Sequence, residues 1–186
     1  MTIRPATSSD LSLIEEIDCV IESGEYLHID QSGEGLSFHF KIEKRSLREK
    51  LVLPNRLDTE TQFLLKQVVN GTDEGICKVA EHEDQIVAML LAQPDPTLSV
   101  MKVLDLRVDC EFRRQGLATV LLYQLIEEAR QADLRAVCAM TRTNNAPAAI
   151  LLEKLGFDLS GLDTRRHSNH DLVKESATLI WYYQIV

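Results

Sequence analysis

The segment VDCEFRRQGLATVLL, Val108 to Leu122, concentrates groups suited to holding an anion. Arg113, Arg114 and Gln115 lead into Gly116, and Leu117, Ala118 and Thr119 begin a strongly apolar run. A helix N-terminus leaves backbone N–H groups unpaired and carries partial positive charge. Glycine lets the chain turn sharply and approach a ligand with no Cβ in the way. The guanidinium groups of Arg113 and Arg114 suit phosphate oxygens, and the Thr119 hydroxyl stands in the first turn. No Gly-Lys-Ser/Thr follows, so this is not a P-loop, and a lone glycine fails the dinucleotide fingerprint G-x-G-x-x-G. Taken alone, the hexapeptide fits a phosphate cradle or a solvated basic loop that merely starts a helix.

Other reactive side chains are more isolated. Cys110 lies close to the cradle but has no adjacent base in sequence, which disfavours an acyl-cysteine. His167 and His170 form H-x-x-H with Asp171 beside them. Without a second ligand cluster this reads as a polar loop, and no metal is expected.

The elements that must position the cradle follow from periodicity and punctuation. SVMKVLDLRVD reads as a strand of about eight residues, and the run after Gly116 as a helix with an apolar stripe of Ala118, Leu121, Leu122, Leu125 and Ala129. LRAVCAMTR is a second strand. Asn144 or Asn145 caps a helix over APAAILLEKLGF, with Pro147 in its first turn and Gly156 just past its end. Strand, glycine-led helix and strand make a right-handed crossover between parallel strands. FDLSGLD and SATLIWYYQIV close the chain as strands.

Upstream, TIRPAT is a short strand. SSDLSLIEEIDCVI reads as a helix capped by Ser8 or Ser9 and stopped by Gly24. Residues 26–44 alternate as a hairpin around SGEG. LREKLVLPNRL is poorly patterned, DTETQFLLKQVVNG is a capped helix, and residues 75–96 are two strands ended by Pro94 and Pro96. The fold class is therefore α/β or α+β with a mixed, mostly antiparallel sheet.

The strand VLDLRV, then R-x-x-G-x-A, then a long helix resembles the acetyl-CoA-binding motif of the GNAT superfamily of N-acetyltransferases. NAPAAILLEKLGF is similar to that superfamily's N-x-x-A-x-x-x-Y-x-x-x-G-F helix, with Asn145, Ala148, Gly156 and Phe157 matching. NNAPA and GFDLSGLDT resemble the streptothricin (nourseothricin) acetyltransferase group, whose members acetylate an amine of a β-lysine arm. The likeness is strong from about Leu104 onward.

The resemblance implies one acetyltransferase domain over residues 1–186, with an acceptor-side half, 1–99, and an acetyl-CoA-binding half, 100–186. It implies a central parallel pair that splays, with helices flanking the sheet. The pantetheine arm would pair along Leu106, Arg107 and Val108. Amides of Arg113, Arg114, Gln115, Gly116, Leu117, Ala118 and Thr119 would hold the pyrophosphate, and Asn145 would face the cofactor. An N–H near Val108 would polarise the thioester carbonyl. Asp105 is the candidate base, although Leu104 replaces the usual acidic neighbour, and a structural role for Asp105 stays open. Leu152 stands where the superfamily has a tyrosine that protonates the departing thiolate, and leucine carries no proton to donate. Tyr182, with Tyr183 or water behind it, is the candidate acid. His167 stands where the streptothricin-like pattern has a tyrosine, so its loop is a candidate lining of the acceptor pocket.

The reaction so implied is transfer of an acetyl group from acetyl-CoA to a primary amine of a small molecule, an amine-bearing antibiotic among the options, by direct attack. An acyl-CoA-binding sensor with weak or no turnover is the alternative, motivated by Leu152 and Leu104. Composition is consistent with both. The chain has 186 residues, 45% hydrophobic and 26% charged, with a formal charge of −9, which opposes a nucleic-acid surface and suits a cationic acceptor. No apolar run spans a bilayer and the N-terminus has no secretion signal, so a cytoplasmic location is expected, with Cys19, Cys77, Cys110 and Cys138 as reduced thiols. A homodimer stays open.

Overall fold

A computed structural model describes every residue except Asn55 and Val186. Strands are β1 (Thr2–Pro5), β2 (Ile21–Glu34), β3 (Ser37–Leu53), β4 (Ile76–His82), β5 (Gln85–Asp95), β6 (Val100–Val108), β7 (Ala136–Arg142), β8 (Asp158–Asp163) and β9 (Thr178–Gln184). Helices are α1 (Leu11–Glu15), α2 (Thr59–Val69), α3 (Leu117–Gln131) and α4 (Ala146–Lys154). Contacts divide the chain into two compact units that interleave along the sequence: residues 1–20, 54–139 and 183–186, and residues 21–53 and 140–182.

In the first unit the strand order is β1-β4-β5-β6-β7. Pairing is antiparallel from β1 to β6 and parallel between β6 and β7, the mixed sheet of the α/β class. Strand β5 is buried from Ile86 to Ala92, covered on both sides, and so reads as a continuous apolar run. Ile14, Ile17, Leu57, Leu65, Val79, Met89 and Leu91 form one core cluster. Helix α3 packs on β5 and β6 through Leu117, Leu121, Leu122, Leu125, Ile126 and Ala129. Ala118, expected on that stripe, is half-exposed; Leu117 and Ile126 belong there instead.

In the second unit β2 and β3 form a long antiparallel ribbon. Gly33 is required near its tip, because a Cβ there would stand 2.2 Å from the Ser37 carbonyl oxygen. Helix α4 packs against β2, and β8 pairs with β9. Asn145, not Asn144, caps α4: its Oδ1 accepts from the Ala148 N–H at 3.4 Å. Trp181 Nε1 donates to Thr141 Oγ1 at 2.9 Å.

Three upstream expectations change. The helix over residues 8–21 shrinks to a 3-10 turn, Ser8–Asp10, and the five-residue α1. So short a helix gains few hydrogen bonds for its nucleation cost, and the chain beyond it bonds elsewhere: Cys110 N–H donates to the Asp18 carbonyl at 2.8 Å. Thr7, not Ser8 or Ser9, precedes the turn, its N–H held by Asp10 Oδ2 at 2.7 Å. Gly24 ends no helix; it lies in β2, at the register shift between Ser23 and Glu25. Of the poorly patterned LREKLVLPNRL, residues 47–53 belong to the far half of β3, where exposed charged side chains on both faces erase a period-two signal, and Asn55 lies outside the described residues. Pro94 lies inside β5, paired with Met101 near the strand's end.

The first strand is pinned by charge. Arg4 donates to Asp10 from Nη1 (2.7 Å) and Nη2 (2.9 Å), and to Glu81 from Nε (2.7 Å). Those guanidinium hydrogen bonds hold the buried Asp10 carboxyl well below the usual carboxylate range. A depressed native pKa stabilises the fold above the ordinary carboxylate pKa and is lost as pH falls below it. Wild-type stability should therefore drop steeply below about pH 4. Asp10→Asn should cost about 2 kcal/mol at pH 7, between exposed and fully buried pairs, and flatten that acid limb in urea titrations.

Candidate active site

The open edge of β6 is the centre of the site. Parallel pairing with β7 covers only Val100↔Ala136, Met101↔Val137 and Lys102↔Cys138. From Val103 onward no strand partner pairs with that edge among the described residues, while the other edge stays paired to β5 as far as Ala88↔Val108. A register shift leaves Leu104 as an extra residue, since Leu91 pairs with Asp105 and Ala92 with Val103. Such a bulge re-aims the backbone beside it. The strand therefore offers unpaired N–H and C=O groups to an extended ligand.

The loop after β6 is held at its entry by Asp109. Its N–H donates to the Val87 carbonyl at 2.8 Å, and its carboxylate accepts from the N–H of Glu111 (3.0 Å) and Asp18 (3.2 Å). Arg114 and Gly116 take positive φ, +62° and +84°. A Cβ on Gly116 would meet nothing within 4 Å, so conformation, not space, demands glycine there. The first bond of α3 runs from Val120 N–H to the Gly116 carbonyl at 3.0 Å. The amides of Leu117, Ala118 and Thr119 have no backbone acceptor among the described residues. Arg114 is exposed, whereas Arg113 is half-buried with Nε donating to the Val108 carbonyl at 3.2 Å. These free amides, a left-handed glycine and a guanidinium fit an anionic cofactor.

Asp105 and Arg107 share one face of β6 and bind each other. Arg107 Nε donates to Asp105 Oδ1 and Nη2 to Oδ2, both at 2.8 Å. Arg107 Nη1 also donates to Cys19 Sγ at 3.3 Å. Burial pulls the guanidinium pKa down most strongly, yet the Asp105 bonds and charge outweigh it and raise the net value. Burial pushes the Cys19 thiol up, so it stays protonated despite Arg107. A shallow depression lined by Leu13, Glu16, Gln85, Ile86, Val87 and Asp109 opens in the same unit.

The other expected residues belong to the second unit. Asn145 is occupied in capping α4, and Leu152 lies on that helix's buried face, 4% exposed. Tyr182 is half-buried and pairs with Asp158 across β8 and β9. His167 and His170 sit in a turn organised by buried Asp171, and no group of three or more His, Cys, Asp or Glu is arranged to hold a metal among the described residues.

Residues 42–157 match the model of the acetyltransferase (GNAT) family. The chain belongs to that family. N-acetyltransferase 8 of Homo sapiens is 36% identical over 95 residues, 48% of this chain and 42% of its own length. Streptothricin acetyltransferase A of Bacillus subtilis (strain 168) is 30% identical over 80 residues, 43% of this chain and 46% of its own length. This GNAT chain thus spans less than half the length of the curated relatives it matches. The fold is shared, at TM-score 0.78 and 18% identity, with a protein assigned as a streptothricin acetyltransferase from Bacillus anthracis str. Ames, in complex with acetyl coenzyme A. That likeness covers 100% of this chain and 97% of the other. The expected resemblance to GNAT enzymes, and within them to the streptothricin group, is borne out.

Sequence reasoning missed the Arg107 clamp. An Asp-x-Arg pair two apart on a strand places both side chains on one face, which was the available signal. Gly116→Ala in this GNAT loop should cost about 1 kcal/mol of stability through φ alone, measured by urea unfolding. A loss near zero would show that the loop relaxes out of its left-handed turn.

Proposed function

We propose that this chain is an N-acetyltransferase that moves an acetyl group from acetyl-CoA to a primary amine of a small molecule. The observation that carries the reading is the open edge of β6 running directly into the unpartnered amides of α3. Support for the donor comes from the related structure with acetyl coenzyme A bound, and for an amine acceptor from the N-acetyltransferase and streptothricin acetyltransferase relatives. An amine-bearing antibiotic is one acceptor of this class.

When bound, acetyl-CoA supplies a thioester that an amine attacks directly. The chain's residues hold that donor and manage protons. Amides of Leu117 to Thr119, with Arg114, bind the pyrophosphate, and β6 backbone from Leu106 to Val108 pairs with the pantetheine arm. An ammonium of pKa ~10.4 is neutral in roughly one part in 2,000 at pH 7, so the site must favour the neutral amine by desolvation and placement. Asp105, the candidate base, has both oxygens engaged by the Arg107 guanidinium, so neither stands free of a partner to meet an amine. We therefore read Asp105 as the residue that orients Arg107, and leave proton removal to water. Leu152 supplies no acid for the leaving thiolate, and Tyr182 is the proposed donor.

A sensor that binds acyl-CoA without turnover is the second reading, favoured by the buried, hydroxyl-free Leu152. Following free thiol while the protein meets acetyl-CoA and an amine panel separates the two. Release above background supports transfer. Stabilisation by coenzyme A, about 2.7 kcal/mol at a hundredfold excess over Kd, with no release for any amine supports the sensor.

For Asp105→Asn the expected result is a loss of about 3 kcal/mol in stability from a buried guanidinium deprived of its counter-charge, with the pH dependence of kcat/KM unmoved. Intact stability with a lost acidic limb in that profile would restore Asp105 as the base.

A further inference from the structure

The sequence is strongly acidic, and most basic side chains with described contacts are neutralised by a nearby carboxylate. One group in the second unit departs from this. Strand β7 ends at Arg142, and β8 ends at Asp163 with Arg165 and Arg166 just beyond. Asp163 pairs with Thr178, and the Thr143 N–H donates to the Ala177 carbonyl at 2.9 Å, so these strand ends lie side by side. No ion pair or hydrogen bond engages the guanidinium groups of Arg142, Arg165 or Arg166 among the described residues, and all three are exposed.

The carboxylates of this loop are hydrogen-bonded within the loop itself. Asp163 Oδ1 accepts from the Arg165 N–H at 2.9 Å. Asp171, 2% exposed, accepts from the His167 N–H at 2.8 Å and the Ser168 hydroxyl at 2.7 Å. Ser176 N–H donates to the Asp171 carbonyl at 2.9 Å, which ties this turn back to the start of β9. Arg165 and Arg166 thus belong to a loop built on a buried carboxylate, with Arg142 at the neighbouring strand end. At the same junction Thr178 Oγ1 and Asn144 Oδ1 are buried without a partner among the described residues, and a Thr hydroxyl can donate to an anion. Burial lowers the His167 pKa most, and the charges of Arg142 and Arg166 add to it while Asp171 and Asp163 oppose them, so both arginines act on that ring.

We infer that Arg142, Arg165 and Arg166 form an anion site that takes a carboxylate or phosphate borne by a ligand of the acetyl-transfer reaction. The inference rests on the proposed acetyl transfer for its choice of ligand. The anionic group belongs either to the acceptor, as a carboxylate beside its amine, or to the donor, as a phosphate of coenzyme A. Guanidinium groups suit both through paired N–H donors. An acceptor site of this kind favours zwitterionic amines over purely cationic ones, opposite to what the net charge of −9 suggests.

The test compares the full chain with its R142Q/R165Q/R166Q variant in two arms. Acetylation rates are measured for lysine against 1,5-diaminopentane, which lacks the carboxylate, and affinities for coenzyme A against 3′-dephospho-coenzyme A. The wild type should favour the anionic member of one pair about tenfold, as expected for losing one charge-assisted interaction, and the variant should not. A lysine preference assigns the site to the acceptor, and a 3′-phosphate preference to the donor. If no amine is acetylated, the proposed activity fails, and the site is then read by inorganic phosphate. Phosphate should shift the His167 ring resonances in the wild type and leave them unmoved in the variant. Equal behaviour of the two proteins across both arms and the phosphate titration overturns the inference.

Discussion

Strand β6 has to serve two partners at once, and the arrangement of the first unit follows from that constraint. On one side it is paired to β5 along most of its length, which anchors it to the most buried strand. On the other its pairing to β7 stops after Lys102. A strand held on both sides throughout would have no backbone to offer a ligand. One held on neither would have no fixed position. Unpaired polar backbone is costly when buried dry, so the open edge persists where water or an extended ligand can satisfy it.

The same compromise recurs in the side chains of β6. The register shift at Leu104 breaks the regular ladder just before Asp105, and the next residue on that face is a buried guanidinium. Bidentate pairing with Asp105 makes the burial of Arg107 tolerable. A further contact of Arg107, to Cys19, connects β6 with the segment following α1. Asp109 draws that segment in again through the Asp18 amide. Charge and backbone thus fix the loop entry, while the loop itself stays open enough to leave the first amides of α3 unpaired.

The second unit distributes polar groups differently. His28 in β2 meets Glu175 at 2.7 Å, and the Leu27 N–H donates to the Thr143 carbonyl at 2.9 Å, so the base of the ribbon is bound into the unit. Beyond that base the ribbon is exposed on nearly every residue, with ion pairs such as Arg45 to Asp30 across its strands. Surface pairs of this kind contribute little to stability, so the ribbon's order depends on its anchored end. The loop between β8 and β9 inverts the pattern, with its acid buried as a hub and its bases outward.

Local signals carried the second half of the fold. The glycine of α3, an asparagine cap at 144 or 145, Pro147 in the first turn of α4 and the positive-φ Gly156 after it each act within a turn of the chain, so they are legible in the sequence. The structure settles the cap on Asn145. The R-x-x-G-x-A loop and the N-x-x-A helix were likewise legible, and with them the family. Decisions that join distant residues were not. The shortness of α1 depends on Asp18 meeting Cys110, and the length of β3 on cross-strand partners that leave no periodic trace. Asp105 is a candidate base by its place in the sequence, but its bidentate partner Arg107 is visible only in the fold. Arg142 joins Arg165 and Arg166 only because strand ends far apart in sequence lie together. Turn conformation is set by neighbours along the chain, whereas the charge state and reach of a side chain are set by whatever the fold packs beside it.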